Sequence, residues 1–341
     1  MATDNLNIPE ITKKDFQVDN EIKWCAGCGS FAILNSVINV LPKLGVKKED
    51  VCFVSGIGCS SRFPYYIKTY GFHGLHGRAA AIASGVKVAN PNLNVWQITG
   101  DGDCMAIGGN HFIHLLRRNI NINILLLNNK IYGLTKGQYS PTTPKGSKTK
   151  TSPDGTIEEA FKPGELAIGA GAHFFARVTD TDQKLMQDAF YQGAMHKGAS
   201  FTEILENCVI FNNAAHADIT EKDLKDDHTI YLQHGEKMIF GSERDKGLVL
   251  DGLKLKVVKI GEDGYTMEDV LVHDATCEDT TLHYMLARMA RPEFPLALGV
   301  IRNYQGTSYD ELLQAQFDDA RKNSPIKTMD QLMNSGAVFE N

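Results

Sequence analysis

Several absences narrow the field before any motif is read. No apolar segment of the 341 residues approaches the roughly 18 that a membrane-spanning helix needs. The polar opening MATDNLNIPEITKKDF has no signal-peptide core. No long basic run occurs: 35 Lys and Arg against 41 Asp and Glu leave a net charge of −6, so the electrostatic footprint of a nucleic-acid binder is missing. Internal repeats are absent too. The expectation is a soluble cytoplasmic protein. In that compartment thiols stay reduced, which argues against a disulfide framework for the seven cysteines and leaves metal binding or plain burial. What is present is an ordinary 43% hydrophobic content, enough for one large or two modest domains.

The organising stretch runs from Ile98 to Gln138. Val95–Thr99 and Ile122–Leu127 (INILLL) are apolar runs with little polar alternation, as expected of strands covered on both faces of a parallel sheet. Between them Ala106–Arg118 has a helical spacing and ends in two arginines, cations suited to a helix C-terminus. The unit reads as βαβ, and ligands of such sheets sit at the carboxyl ends of the strands. Asp101 follows the first strand and Asn129 the second, so two oxygen ligands reach one rim, a donor set that suits Mg2+. Gly100 and Gly102 permit a tight turn and a close approach to phosphate. A metal-bridged diphosphate is the ligand this arrangement favours.

Read in order, residues 1–20 form an extended arm expected to lie on a partner or neighbouring surface. Residues 21–213 form the main domain and 214–341 a smaller C-terminal extension. Trp24–Gly29 (WCAGCG) opens a helix from about Phe31 to Leu41; its CxxC is either a redox dithiol or two metal ligands. Val51–Ser55 is a short strand whose following turn carries Gly58, Cys59, Ser60 and Ser61, placing Cys59 on the same rim as Asp101 and Asn129. Ala79–Ala89 is a small-residue helix able to pack closely. From Tyr132 to Pro163 no period is visible; a loop that long is functional or disordered. Its first half, to Thr143, is expected to wrap a ligand, and 146–156 to be a mobile surface segment. Ala172–Val178, Asp182–Lys197 and Ser200–Leu205 resume the rhythm as strand, helix and last buried strand. Beyond lie short strands within 248–258 and helical stretches at 280–291 and 308–321. The fold class is therefore α/β, a mostly parallel sheet flanked by helices.

A thiolate-bound iron–sulfur cluster needs four converging cysteines. Cys25, Cys28, Cys59 and Cys208 lie in loops at element ends, whereas Cys52 is inside a strand and Cys277 is distal. Cys104, in the GDGDC turn, is the rival ligand. For the CxxC pair zinc would meet the same geometry.

GDG, the 25 residues from Asp103 to Leu127, then NN resembles the thiamine diphosphate motif. With WCAGCG (24–29), SGIGCSSR (55–62), HGRAAAIASGVK (76–87) and YGLTKGQYSPTT (132–143), roughly residues 15–215 resemble the β subunit of 2-oxoacid:ferredoxin oxidoreductases, most closely the 2-oxoglutarate type. The resemblance implies a thiamine diphosphate-binding fold, Mg2+ held by Asp101, Asn129 and the Ile131 carbonyl, and a 4Fe-4S cluster on Cys25, Cys28, Cys59 and Cys208. The last of these sits in ENCVIFNN, which departs from the family's usual PC spelling. Further cofactor contacts are expected from Gly58, Cys59, Ser60, His76, Gly100, Gly102, Asp103, Gly133, Leu134 and Thr135. Lys136 is implied to meet the substrate carboxylate, and His76 to hydrogen-bond substrate or diphosphate. The implied activity is oxidative decarboxylation of 2-oxoglutarate with coenzyme A, reversible, electrons passing through the cluster to ferredoxin. Thiamine catalysis also needs a glutamate from a pyrimidine-binding domain, and only one diphosphate-type domain is seen here. An α subunit in an αβ or (αβ)2 assembly is therefore implied. Rival readings keep the fold with pyruvate or another 2-oxo acid, place a structural zinc in a non-oxidative thiamine lyase, or make the chain a non-catalytic scaffold.

Overall fold

A computed structural model describes residues 11–337 and 339 of the chain. Ten of the arm's residues, 1–10, lie outside that description. Its remainder packs inward: Phe16 is fully buried, its carbonyl accepts from the Lys68 amide at 2.9 Å, and Gln17 bridges Ile67. Residues 11–20 thus lie against the neighbouring surface of the domain; Phe16 alone among them is buried, a core side chain the arm was not expected to supply.

Eight strands form one sheet. In chain order they begin with β1 (Val51–Ser55), β2 (Tyr70–His73), β3 (Asn94–Gly100), β4 (Asn123–Asn128), β5 (Phe174–Thr179) and β6 (Ser200–Leu205). These six run parallel, in the order β2-β1-β3-β4-β6-β5. Alternate residues feed opposite cores. On β4, Ile124 and Leu126 face one side, Leu125 and Leu127 the other, which is why the run is unbroken in sequence. One face is covered by α1 (Ser30–Val40) and a helix over Gln183–Met195, whose cap Asp182 accepts from the Leu185 amide at 3.0 Å. The other face carries α2 (Ala79–Ala89), helices over Gly109–Arg118 and Pro163–Gly169, and the helix Thr281–Arg288.

Three readings change. The helix expected over 106–118 begins only at Gly109 and runs to Arg118, and a separate short helix, Asp101–Met105, precedes it. At the break a Cβ on Gly108 would come 2.4 Å from the Asp103 carbonyl, so the chain turns where only glycine fits. Ser200–Leu205 is not the last buried strand. Thr229–Leu232 (β7) and Leu296–Asn303, the latter pairing antiparallel with β5, extend the same sheet. That strand is hidden in sequence by Gly299 at φ +99° and by Arg302, whose guanidinium is buried against the Ala172, Cys277 and Glu278 carbonyls. The stretch expected to be mobile closes on itself: the Gly146 amide bonds the Thr156 carbonyl at 2.8 Å and the Thr156 amide the Ser147 carbonyl at 3.0 Å. Residues 239–259 form a separate three-stranded antiparallel sheet, and no described helix is long and apolar enough to cross a membrane.

Two deeply buried histidines tune the response to acid. His196, hydrogen-bonded to Asn303, has its pKa pushed down to about 4 by burial, and His216 is pushed down to about 3 by the same cause. Each is neutral when folded and protonates near 6.5 when unfolded, so its contribution is intact above 6.5 and is lost as pH falls toward the folded value. Acidification from pH 7 to 5 should therefore cost about 2 kcal/mol through His196. Urea unfolding of His196→Asn should show a correspondingly shallower pH dependence than the parent; equal slopes would contradict this.

Candidate functional site

The parallel strands deliver their carboxyl ends to one rim. Ser55 ends β1, Gly100 ends β3, Asn128 ends β4 and Leu205 ends β6, and the residues that follow meet there. Between the loops lies a cavity of about 440 Å3. Every cofactor-binding candidate named from the sequence lines it: Gly58, Cys59, Ser60 and His76 on one wall, Gly100, Asp101, Gly102 and Asp103 on the floor, Asn129, Ile131, Gly133, Leu134 and Thr135 opposite. Ile57, Tyr132 and Gln138 complete the lining. Lys136 does not line it. It sits exposed at φ +78°, at the tip of a turn closed by the Tyr132 amide on the Gln138 carbonyl at 2.9 Å.

The two carboxylates of GDGD have different tasks. Asp103 is a fastener: Oδ1 accepts from the Ile57 amide (3.0 Å) and the Gly77 amide (2.7 Å), Oδ2 from the Thr99 hydroxyl (2.7 Å). It thereby ties the turn after β1, the turn before α2 and the end of β3 together. Gly56 is required beside it, since a Cβ there would lie 2.0 Å from Oδ2. Asp101 is as buried, yet its Oδ2 has only the hydroxyls of Ser140 and Thr142 (2.6 Å for the latter), and among the described residues no cation pairs with it. Burial raises its pKa. A carboxylate withdrawn from water without a counter-charge costs several kcal/mol, so the position calls for a cation. The donors around it are a carboxylate, the Asn129 amide and the Ile131 backbone, hard oxygens that fit Mg2+. Gly102 is held close, its carbonyl accepting from the Tyr132 hydroxyl at 3.0 Å; a Cβ would strike that ring at 2.1 Å.

Beside this cavity the four loop cysteines gather. A Cβ on Gly133 would lie 3.5 Å from Cys59 Sγ and 3.7 Å from Cys208 Sγ. Burial pushes the Cys59 thiol up to about 11, helped by the charges of Glu206, Cys208 and Cys25. Cys28 is pushed up to about 12, by burial and then by Glu206, with Cys208 also contributing. Cys25 is exposed, and the Trp24 indole pins this corner by donating to the Cys59 carbonyl at 2.8 Å. Cys104 is buried in the short helix after β3, its thiol raised well above normal by burial, and Cys52 is buried in β1. Among the described residues no three His, Cys, Asp or Glu side chains are placed to hold a single metal ion.

Glu206 was missed from the sequence. It is fully buried between the two groups: Oε1 accepts from Ser30 and faces Cys28 Sγ at 3.7 Å, while Oε2 accepts from Asn129 Nδ2 at 3.2 Å. Burial raises its pKa to about 7, with nearby Asp180 adding to the effect, so it holds a proton near neutrality. The only signal was the unusual ENC spelling. Ser140 and Thr142 were anticipated merely as part of a ligand-wrapping loop.

Comparison with known proteins follows the same lines. A family model described as the C-terminal thiamine pyrophosphate-binding domain of thiamine pyrophosphate enzymes matches residues 56–204. The 2-oxoglutarate oxidoreductase subunit KorB of Mycobacterium tuberculosis is 44% identical over 331 residues, 96% of this chain and 88% of that protein. A 2-oxoacid:ferredoxin oxidoreductase subunit beta of Aeropyrum pernix is 45% identical over 58% of this chain and 64% of its own length. Among solved structures, a 2-oxoglutarate:ferredoxin oxidoreductase from Magnetococcus marinus with 2-oxoglutarate, coenzyme A and succinyl-CoA bound superposes with a TM-score of 0.77 at 29% identity, covering 98% of both chains.

The two aspartates should respond oppositely to loss of the carboxylate. Asp103→Ala, which leaves the Ile57 and Gly77 amides without their acceptor, should lose about 2–3 kcal/mol of stability in urea. Asp101→Asn should leave the cofactor-free chain as stable or more so, because an uncompensated charge is removed. Equal losses would contradict the division of labour.

Proposed function

The chain belongs to the β-subunit family of 2-oxoglutarate:ferredoxin oxidoreductases, thiamine diphosphate-binding oxidoreductase subunits, and on that basis we propose a complete activity for it. With an α subunit, in an αβ or (αβ)2 assembly in the cytoplasm, it converts 2-oxoglutarate and coenzyme A to succinyl-CoA and CO2, reversibly. Electrons pass through a 4Fe-4S cluster to ferredoxin. The observation that carries this reading is the buried, uncompensated Asp101 carboxylate sharing one rim with four gathered thiols.

Asp101, Asn129 and the Ile131 carbonyl would hold Mg2+ and through it the diphosphate of the coenzyme. When bound, the thiazolium ring supplies the electron sink that decarboxylation of a 2-oxo acid requires. The residues of this chain bind, orient and exclude water around it. Gly100 and Gly102 let the backbone approach, and Ser140 and Thr142 fix the Asp101 carboxylate in direction. His76, half exposed in the lining and 3.8 Å from Asp103, would hydrogen-bond substrate or diphosphate. Lys136, standing outside the lining, would meet the substrate carboxylate from the mouth.

Cys25, Cys28, Cys59 and Cys208 would ligate the cluster. Zinc would meet the same thiolate geometry; what favours a cluster is the thiamine pyrophosphate-binding fold beside the thiols, where an electron acceptor has a use. An α subunit is supported by apolar side chains left exposed, Ile57 and Leu134 on the cavity lining, Tyr70 and Phe72 on the edge strand β2 and Leu75 just after it. That subunit would bring the glutamate for the aminopyrimidine.

Anaerobically purified complex should be brown with about four iron atoms per β chain. Cys208→Ala should bleach it and Cys104→Ala should not; the reverse would exchange the fourth ligand, and a colourless zinc protein would exclude the cluster. Asp101→Ala should abolish thiamine diphosphate binding while the visible absorbance persists. Viologen reduction should depend on 2-oxoglutarate and coenzyme A; greater activity with pyruvate would overturn the substrate assignment.

A further inference from the structure

A second cavity, of about 430 Å3, opens behind the first, and no step of the proposed reaction uses it. Its floor is an ion pair between register neighbours in the sheet, Arg177 on β5 and Glu203 on β6, 2.8 Å apart and almost wholly buried. Each nitrogen of Arg177 is engaged once: Nε on Glu203, Nη1 on the Ala297 carbonyl and Nη2 on the Ala287 carbonyl. Glu203 Oε1 in turn accepts from Asn128 Nδ2 at 2.8 Å. The floor is therefore electrically settled.

The walls are not. Lys130, Lys162, Arg288 and Arg291 line the cavity, against Asp218 in the lining and Glu165 beside it. Glu165 engages Lys162 at 3.1 Å and Arg288 at 3.6 Å, and among the described residues Arg291 reaches the His228 ring and the Pro292 carbonyl but no carboxylate. Lys130 is held at φ +55° one residue after Asn129, lines the cavity, and has no ion-pair or hydrogen-bond partner for its ammonium among the described residues. Four cations facing two carboxylates leave an excess of two positive charges. Leu205, Ile219 and Met289 add apolar surface.

The wall nearest the first cavity is Thr142. Its hydroxyl carries one proton and has two acceptors, Asp101 Oδ2 at 2.6 Å and Asn128 Oδ1 at 2.9 Å, so it serves one at a time. A ligand oxygen in the second cavity is a third claimant. The two cavities thus share a donor.

The geometry points to a second ligand site: a small organic dianion, dicarboxylate or monophosphate, seated on Lys130 and Arg291 beside Thr142. Charge excess sets the valence, the volume limits the size, and the apolar wall favours an organic body. The site is independent of the thiamine reading, since none of its cations lines the first cavity.

The test is calorimetric titration of the full chain, saturated with thiamine diphosphate and Mg2+, with malonate in one arm and methyl phosphate in the other. Saturable one-to-one binding of either probe is expected, weakened at least about tenfold by Lys130→Met and kept within about threefold by Lys130→Arg. Binding of malonate alone assigns a dicarboxylate, of methyl phosphate alone a phosphate. Absence of binding in both arms, or undiminished binding to Lys130→Met, overturns the site.

Discussion

The constraint on which the molecule depends is an acid kept from water without an ion pair. Asp101 lies at the end of a central strand with two hydroxyls on one oxygen and, among the described residues, no ion-pair partner. Two other buried carboxylates nearby are fully provided for: Asp103 by amides and a hydroxyl, Glu203 by arginine and asparagine. The contrast is what makes Asp101 informative. A fold that can neutralise its buried charges elsewhere leaves this one open, and an open charge is a statement about a missing ligand.

Parallel topology makes the arrangement economical. Because β1, β3, β4 and β6 all finish on one edge, turns separated by more than a hundred residues share a few cubic nanometres without any long connection crossing the sheet. Aromatic stacking beneath it, Phe53 on Phe63 and Trp96, stiffens the platform from which the turns project. The site is built on the turns that follow rigid strand ends, and the 132–143 segment is the longest loop to reach it.

Much of this could be read from residue order. Val51–Ser55 and Ala79–Ala89 coincide with their expected bounds, since a run buried on both faces or a small-residue helix needs no alternation to be recognised. Asp101 and Asn129 were placed by where strands end. What escaped notice has physical reasons. Leu296–Asn303 conceals a core strand behind Arg302, whose charge is satisfied by carbonyls that only the fold assembles. Glu206 and Thr142 carry no period and no spacing, because a single hydrogen bond to a distant residue leaves no trace in the local pattern. The break before Gly109 likewise depends on one close backbone approach.

Gly133 carries the last point. It stands between the coenzyme cavity, which it lines, and the sulfurs of Cys59 and Cys208, which would touch its first side-chain carbon if it had one. In the proposed enzyme fuel and wire would be neighbours across that bare backbone, and Cys59, which lines the cavity as well, would belong to both.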